Sequence, residues 1–150
     1  MELKVPPVVV FLLSVGLIFG IHYGWPQFSY SWEYADFISS LLFILGALSG
    51  AGGVLTFRRH GTTVDPTRPD KASRLVTSGV YRYTRNPMYL GMAWLLVGAV
   101  LRLGNPFGFL ALIFFLGYMT QFQIKPEERA LEQCFGKVYL DYRSRVRRWI

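Results

Sequence analysis

One cysteine, Cys134, occurs in 150 residues. No intrachain disulfide can form, and no cysteine or histidine pair stands at the spacing of a zinc site. The two histidines, His22 and His60, are remote from each other and from any acidic cluster, so no structural metal is expected. Charge is scarce as well. Charged residues make up 17% of the chain, against 52% hydrophobic and 17% aromatic residues, a balance unusual for a soluble domain of this size. Nine acids face sixteen bases, for a formal charge of +7. Most of the bases collect in residues 58–85 and 125–148. That clustering fits one face of a membrane protein better than a nucleic-acid-binding surface. The apolar runs carry no ionisable residue near their middles, which speaks against a transporter.

Residues 5–24 form an apolar run about 30 Å long as a helix, enough to span a bilayer. No small-residue cleavage pattern interrupts it before Trp25-Pro26, which predicts a retained span, not a removed leader. The connection through Ser31 has no Lys or Arg and is rich in aromatics (Tyr23, Trp25, Phe28, Tyr30, Trp32), as at a membrane interface. A second run, residues 34–57, carries Gly46, Gly50 and Gly53 with Ala47, Ser49 and Ala51. This small-residue face suits close helix contact, and Gly16 and Gly20 offer a matching spacing on the first span. These glycines are expected to pack helices, not to bind a ligand.

A polar connection, residues 58–86, follows, with Thr62, Thr63, Pro66, Pro69 and seven bases (Arg58, Arg59, Arg68, Lys71, Arg74, Arg82 and Arg85). Its length and its lack of low-complexity bias predict an ordered, functional loop. A third run, 87–103, meets a fourth, 107–124, through Leu103-Gly104-Asn105-Pro106, so the two form an antiparallel hairpin. Residues 125–150 also hold seven bases. Placing both basic segments, and both termini, in the cytoplasm satisfies the charge rule, with Arg102 the exception. The predicted fold is all-α. It is one domain over 1–150, a polytopic integral membrane protein with about four transmembrane helices and a C-terminal amphipathic helix at the interface.

Two constellations stand out. Leu75 to Gly91 crowds Tyr81, Tyr83, Tyr89, Arg82 and Arg85 against the start of the third run. Asn86-Pro87 is a helix-start signal, with Asn placed to accept from first-turn amides. Gly91, one turn in, lets another group approach the backbone. A cationic, aromatic loop at the positive end of a helix dipole is an anion site, or else a basic anchor to lipid headgroups. The second constellation is Lys125-Pro126-Glu127-Glu128, where Pro126 bends or restarts a helix. Beyond it Leu131, Phe135, Val138, Tyr142, Val146 and Trp149 recur at three- and four-residue intervals. They predict an amphipathic helix, with a break expected at Gly136. Glutamates after a helix-starting proline commonly do no more than complement the helix dipole, but the hairpin returns Glu127-Glu128 to the face that holds Arg85-Asn86-Pro87, and the pairing is more specific than either part.

Together these residues resemble the isoprenylcysteine carboxyl methyltransferase and phospholipid methyltransferase family, small integral membrane enzymes that use S-adenosylmethionine. The likeness runs from about Thr62 to Val146. It includes Gly79-Val80-Tyr81, Arg85-Asn86-Pro87-Met88-Tyr89-Leu90-Gly91, Glu127-Glu128, Phe135-Gly136, Tyr139-Leu140-Asp141-Tyr142 and Arg145-Val146. The carboxyl methyltransferases usually have His at the place of Asn86, and Asn-Pro-Met-Tyr is closer to the phospholipid branch.

The resemblance implies S-adenosylmethionine held between the Arg85–Gly91 segment and Glu127-Glu128. In that reading both glutamates contact its ribose or amino group. The helix start Asn86, Pro87, Met88 and Tyr89 takes its carboxylate, and Tyr81, Tyr83 and Tyr89 wall the adenine or the sulfonium. Arg85 orients a carboxylate or phosphate on a lipophilic acceptor that enters from the membrane. That acceptor is a prenylcysteine-like carboxylate or a lipid head group; for an amine, a glutamate such as Glu127 takes the proton. No nucleic acid and no obligate protein partner are expected. Two other readings stay open. One is a sterol-type reductase using NADPH, which shares part of the core but often has an acid where Met92 follows Gly91. The other is a non-enzymatic adaptor whose basic loop binds anionic lipid.

Overall fold

A computed structural model describes residues 2–59 and 75–150 of the chain. His60 to Arg74, most of the connection expected to be an ordered loop, lies outside the described residues. Those described form six helices: α1 (Pro7–Gly24), α2 (Ala35–Arg59), α3 (Pro87–Leu103), α4 (Phe109–Tyr118), α5 (Lys125–Phe135) and α6 (Lys137–Arg145). Short 3-10 turns add Pro26–Phe28, Gly79–Arg82 and Pro106–Gly108. Three helical stretches are long and apolar enough to cross a membrane: Pro7–Gly24, Ala35–Arg59 and Pro106–Phe135. They mark an integral membrane protein. α3 is apolar but shorter, at 17 residues.

The central element is α3. Its buried positions Tyr89, Gly91, Ala93, Leu96, Gly98 and Val100 face α2 on one side and α1 and α4 on the other. Prolines open α1 and α3 at their first helical positions, where a missing N–H is harmless. Val10, Ser14 and Ile18 give α1 one buried stripe at a four-residue interval, and the Ser14 hydroxyl donates to the Val10 carbonyl at 2.9 Å, which satisfies it. Phe11 meets Phe115 of α4 edge-on at 6.5 Å.

The glycines of α2 do pack a helix, but that helix is α3, not α1. A Cβ on Gly91 would stand 2.6 Å from the Gly46 carbonyl oxygen and 2.9 Å from the Gly50 nitrogen. The ring of Phe43 fills the space beside Gly98, and Ser49 Oγ donates to the Pro87 carbonyl at 2.7 Å. Gly16 and Gly20 have open space where a side chain would be. Spacing alone does not say which partner a small-residue face meets. The matching notch on α3 comes from Gly91 and Gly98.

At the base-poor end, Gly104 adopts φ +69°, caps α3 by donating to the Val100 carbonyl at 2.9 Å, and accepts from the Tyr30 amide at 3.1 Å. Asn105 Nδ2 reaches the Trp25 carbonyl at 3.0 Å. The two connections at this end are therefore tied together.

Pro126 does not end the fourth helical stretch, which runs on from Pro106 to Phe135, past the boundary expected near residue 124; α-helix resumes as α5 with Pro126 in its first turn. A π-helical turn, Met119–Ile124, lies between α4 and α5. Proline has no N–H, and its ring crowds the carbonyl four residues back, here Phe122. The wider turn makes room, and the Phe122 carbonyl accepts instead from the Leu3 amide at 3.0 Å. The helix expected beyond it breaks at Gly136, with φ +50°. That break rotates the apolar face: Tyr139 turns inward with Tyr142, while Val138 stays exposed. α6 ends at Arg145, so Val146 and Trp149 belong to an extended segment.

Candidate functional site

The hairpin brings the two constellations into contact. Tyr89, in the first turn of α3, donates to Glu127 Oε1 in the first turn of α5 at 2.6 Å. Gln123 Nε2, one turn before Glu127, donates to the same oxygen at 2.6 Å. Glu127 is thus held by neutral donors, with no cation hydrogen-bonded to it among the described residues.

Glu128 sits in a different environment. Arg85 Nη2 lies 2.9 Å from its Oε1, and each side chain is only 9% exposed. Arg148 reaches the same carboxylate from residues 146–150, with Nε 3.0 Å from Oε1 and Nη2 2.7 Å from Oε2. Two guanidiniums share one carboxylate, so the cluster carries an excess positive charge. Among the described residues, Nε and Nη1 of Arg85 are buried without an acceptor. A buried guanidinium N–H left unpaired is costly, and the two together suit an anion.

The segment after α6 closes one side. The Arg147 carbonyl accepts from the Arg85 amide at 3.0 Å. The Arg148 carbonyl accepts from Asn86 Nδ2 at 2.9 Å and from Thr84 Oγ1 at 3.3 Å. Trp149 Nε1 donates to Thr120 Oγ1 at 3.4 Å. Asn86 therefore stands at the N-cap of α3 without capping it through its side chain. Its Nδ2 instead donates to the Arg148 carbonyl beside it.

The tyrosines divide. Tyr81 is buried, meets Phe57 edge-on at 5.2 Å, and its carbonyl accepts from Tyr142 Oη at 2.8 Å. Burial pushes the Tyr81 phenol well above the ordinary tyrosine range, and the charges of Tyr142 and Glu127 push it further. Burial likewise raises Tyr142 and takes Tyr139 up to about 12. The hydrogen bonds to Glu128 hold Arg148 charged, above its already high range. Tyr83 is 80% exposed and stands apart from this cluster. Pro87, Met88 and Gly91 face α2: Gly53 lies against the first two and Gly46 against the third.

The structure thus gathers Tyr81, Arg85, Tyr89, Glu127 and Glu128, links Asn86 through the Arg148 carbonyl, and turns Pro87, Met88 and Gly91 toward α2. It adds Gln123 and Arg148. Gln123 was legible as the residue one helical turn before Glu127. Arg148 had no sequence signal beyond its charge. A recess at the other end of the bundle, lined by Tyr30, Trp32, Leu101, Pro106 and Phe109 among others, offers no carboxylate or base.

The family model described as Phospholipid methyltransferase matches residues 34–138. Among curated proteins, the chain is 31% identical over 121 residues to Protein-S-isoprenylcysteine O-methyltransferase of Saccharomyces cerevisiae, covering 79% of this chain and 51% of that one. It is also 31% identical to Protein-S-isoprenylcysteine O-methyltransferase B of Arabidopsis thaliana, over 81% of this chain and 61% of that one. An uncharacterised protein of Haemophilus influenzae is 43% identical over 63 residues, 42% of this chain and 100% of its own length. The chain therefore spans roughly half to three fifths of the two named methyltransferases. No solved structure matches.

Proposed function

The chain belongs to the phospholipid methyltransferase family, and on that premise we propose that it transfers a methyl group from S-adenosylmethionine to a lipophilic acceptor at the cytoplasmic face of a membrane. The observation that carries the reading is the joining of Arg85 to Glu128 and of Tyr89 to Glu127 across some forty residues of chain. The residues fit such a donor. Glu127 suits hydroxyl or ammonium groups, the aromatic faces of Tyr81 and Tyr89 suit a sulfonium, and the start of α3 from Asn86 to Met88 suits a carboxylate. Tyr83 lies outermost, at the wall of the site or in the headgroups. When bound, the donor supplies an activated methyl for direct displacement.

The protein's own part is mostly alignment and exclusion of water. Arg85 presents Nε and Nη1 to the acceptor's anionic group, with Glu128 as its buried counter-charge. A carboxylate acceptor is already nucleophilic and needs no base. An amine acceptor must lose a proton, and Glu127, held by Tyr89 and Gln123, takes it. The names of the curated relatives and the open fork of Arg85 favour a prenylcysteine-like carboxylate over a lipid head group.

The domain comprises residues 1–150. α1, α2, α3 and the Pro106–Phe135 helix form four spans, with the 17 residues of α3 at the short end of what crosses a bilayer. α5 beyond Glu127, together with α6, lies along the cytoplasmic interface. The acceptor enters between the spans and the donor from the cytoplasm. The test is methyl transfer by detergent-purified protein from a radiolabelled donor, with a farnesylated cysteine and phosphatidylethanolamine offered in parallel. Labelling of the cysteine carboxylate is expected. Labelling of the amine alone reassigns the acceptor, and labelling of neither, with donor binding absent, overturns the reading.

A further inference from the structure

Arg148 lies outside the motifs that mark the site, yet it makes the shortest contact to Glu128, at 2.7 Å, and reaches both of its oxygens. Its position is not left to a flexible side chain: the backbone carbonyls of Arg147 and Arg148 are both tied to the Thr84–Asn86 segment. From there its Nε and Nη2 take the two oxygens of Glu128 side-on. Arg85 reaches that carboxylate through Nη2 alone. A guanidinium beside an uncontested carboxylate closes on it with two parallel N–H groups. Here that place is filled, and Nε and Nη1 of Arg85 remain buried without an acceptor among the described residues.

We propose that Arg148 is a positioning residue that occupies Glu128 side-on, prevents Arg85 from closing its own fork on Glu128, and so keeps two Arg85 donors presented to the anionic group of the acceptor. The proposal rests on the assignment of Arg85 to that anion. It also accounts for the charge: two guanidiniums on one buried carboxylate are incomplete until a second anion arrives. Arg148, its side chain 30% exposed against 9% for Arg85 and Glu128, is the member of the cluster nearest water.

The experiment compares R148A, R148K and the double variant R148A/E128Q, using a farnesylated cysteine as acceptor and amide-free observation of Arg85 by 15N NMR of its Nε–H group. R148A should raise the acceptor KM about tenfold, the scale of one charge-assisted hydrogen bond, with a smaller change in kcat. R148K, which keeps the charge but not the fork, should recover part of that loss. Adding E128Q to R148A removes the competing carboxylate charge and one of its two oxygens and should lower KM again, whereas a merely structural role predicts a double variant at least as impaired as the single one. Without any ligand, the Arg85 Nε–H resonance should shift in R148A as it pairs with Glu128. If that shift occurs and no wild-type methyl transfer is found, the positioning stands and the methyltransferase reading falls. An unmoved Arg85 resonance overturns the positioning whatever the kinetics. Should R148A not fold, R148K carries both comparisons.

Discussion

The two adjacent glutamates have unlike surroundings, and the difference sets what each substitution does. Tyr89→Phe removes a 2.6 Å donor from Glu127 while leaving the ring in place. It should lower methyl transfer about tenfold or more and stability by about 1.5–3 kcal/mol, the range for a hydrogen bond to a charged group; turnover and a thermal melt on one preparation check both. Glu128→Ala leaves Arg85 buried without a counter-charge and should cost about 3–5 kcal/mol, read by reversible unfolding in mixed micelles. The double variant lacking Arg85 as well should cost less, because the orphaned charge goes with it. Much of this was legible residue by residue: tyrosine, arginine and paired glutamates on two ends of one hairpin are enough to nominate the site. The side chain of Asn86 was not, since a capping residue in sequence becomes a tertiary donor once the Arg148 carbonyl stands beside it. Arg148 itself depends on where an extended segment crosses, and no local pattern encodes that.

At the scale of elements, the joint between α2 and α3 fixes where the first turn of α3, and with it Tyr89, is presented. Gly91→Ala should push the helices apart, because the new methyl meets the Gly46 carbonyl and Gly50 backbone, atoms that cannot rotate aside. A loss of about 2 kcal/mol or more is expected, in the range of overpacking, together with reduced turnover. Gly20→Ala points into open space and should be neutral or stabilising by up to about 1 kcal/mol. Equal effects of the two substitutions in a thermal-shift comparison would contradict the packing account. The helices themselves were readable from apolar length and from prolines at their starts. Their partners were not, because a small-residue face is complementary to any other. The π turn escaped detection for a related reason: Pro126 announces a disturbance, but whether the helix stops or widens depends on whether a donor such as the Leu3 amide reaches the Phe122 carbonyl.

For the molecule as a whole, three apolar helices long enough to cross a membrane and the clustering of bases at one end define the setting. The exposed Cys134 of α5, the chain's single cysteine, reports orientation without any substitution. It should react with a membrane-impermeant maleimide in inside-out vesicles and not in intact cells. Reaction only from outside would reverse the proposed topology and place the site on the wrong side of the donor. Charge asymmetry carries that information in the sequence because translocation is biased against bases near spans, whereas the side-on pairing of Arg148 with Glu128 emerges only from the packed bundle. We propose that Glu127, with Tyr81, Tyr89 and the start of α3, holds S-adenosylmethionine. Its most direct test is calorimetric titration of the detergent-purified protein with S-adenosylhomocysteine, beside NADPH. Saturable binding of the first alone, weakened at least tenfold in Glu127→Gln, is the predicted result; binding of NADPH alone to a folded sample would contradict it.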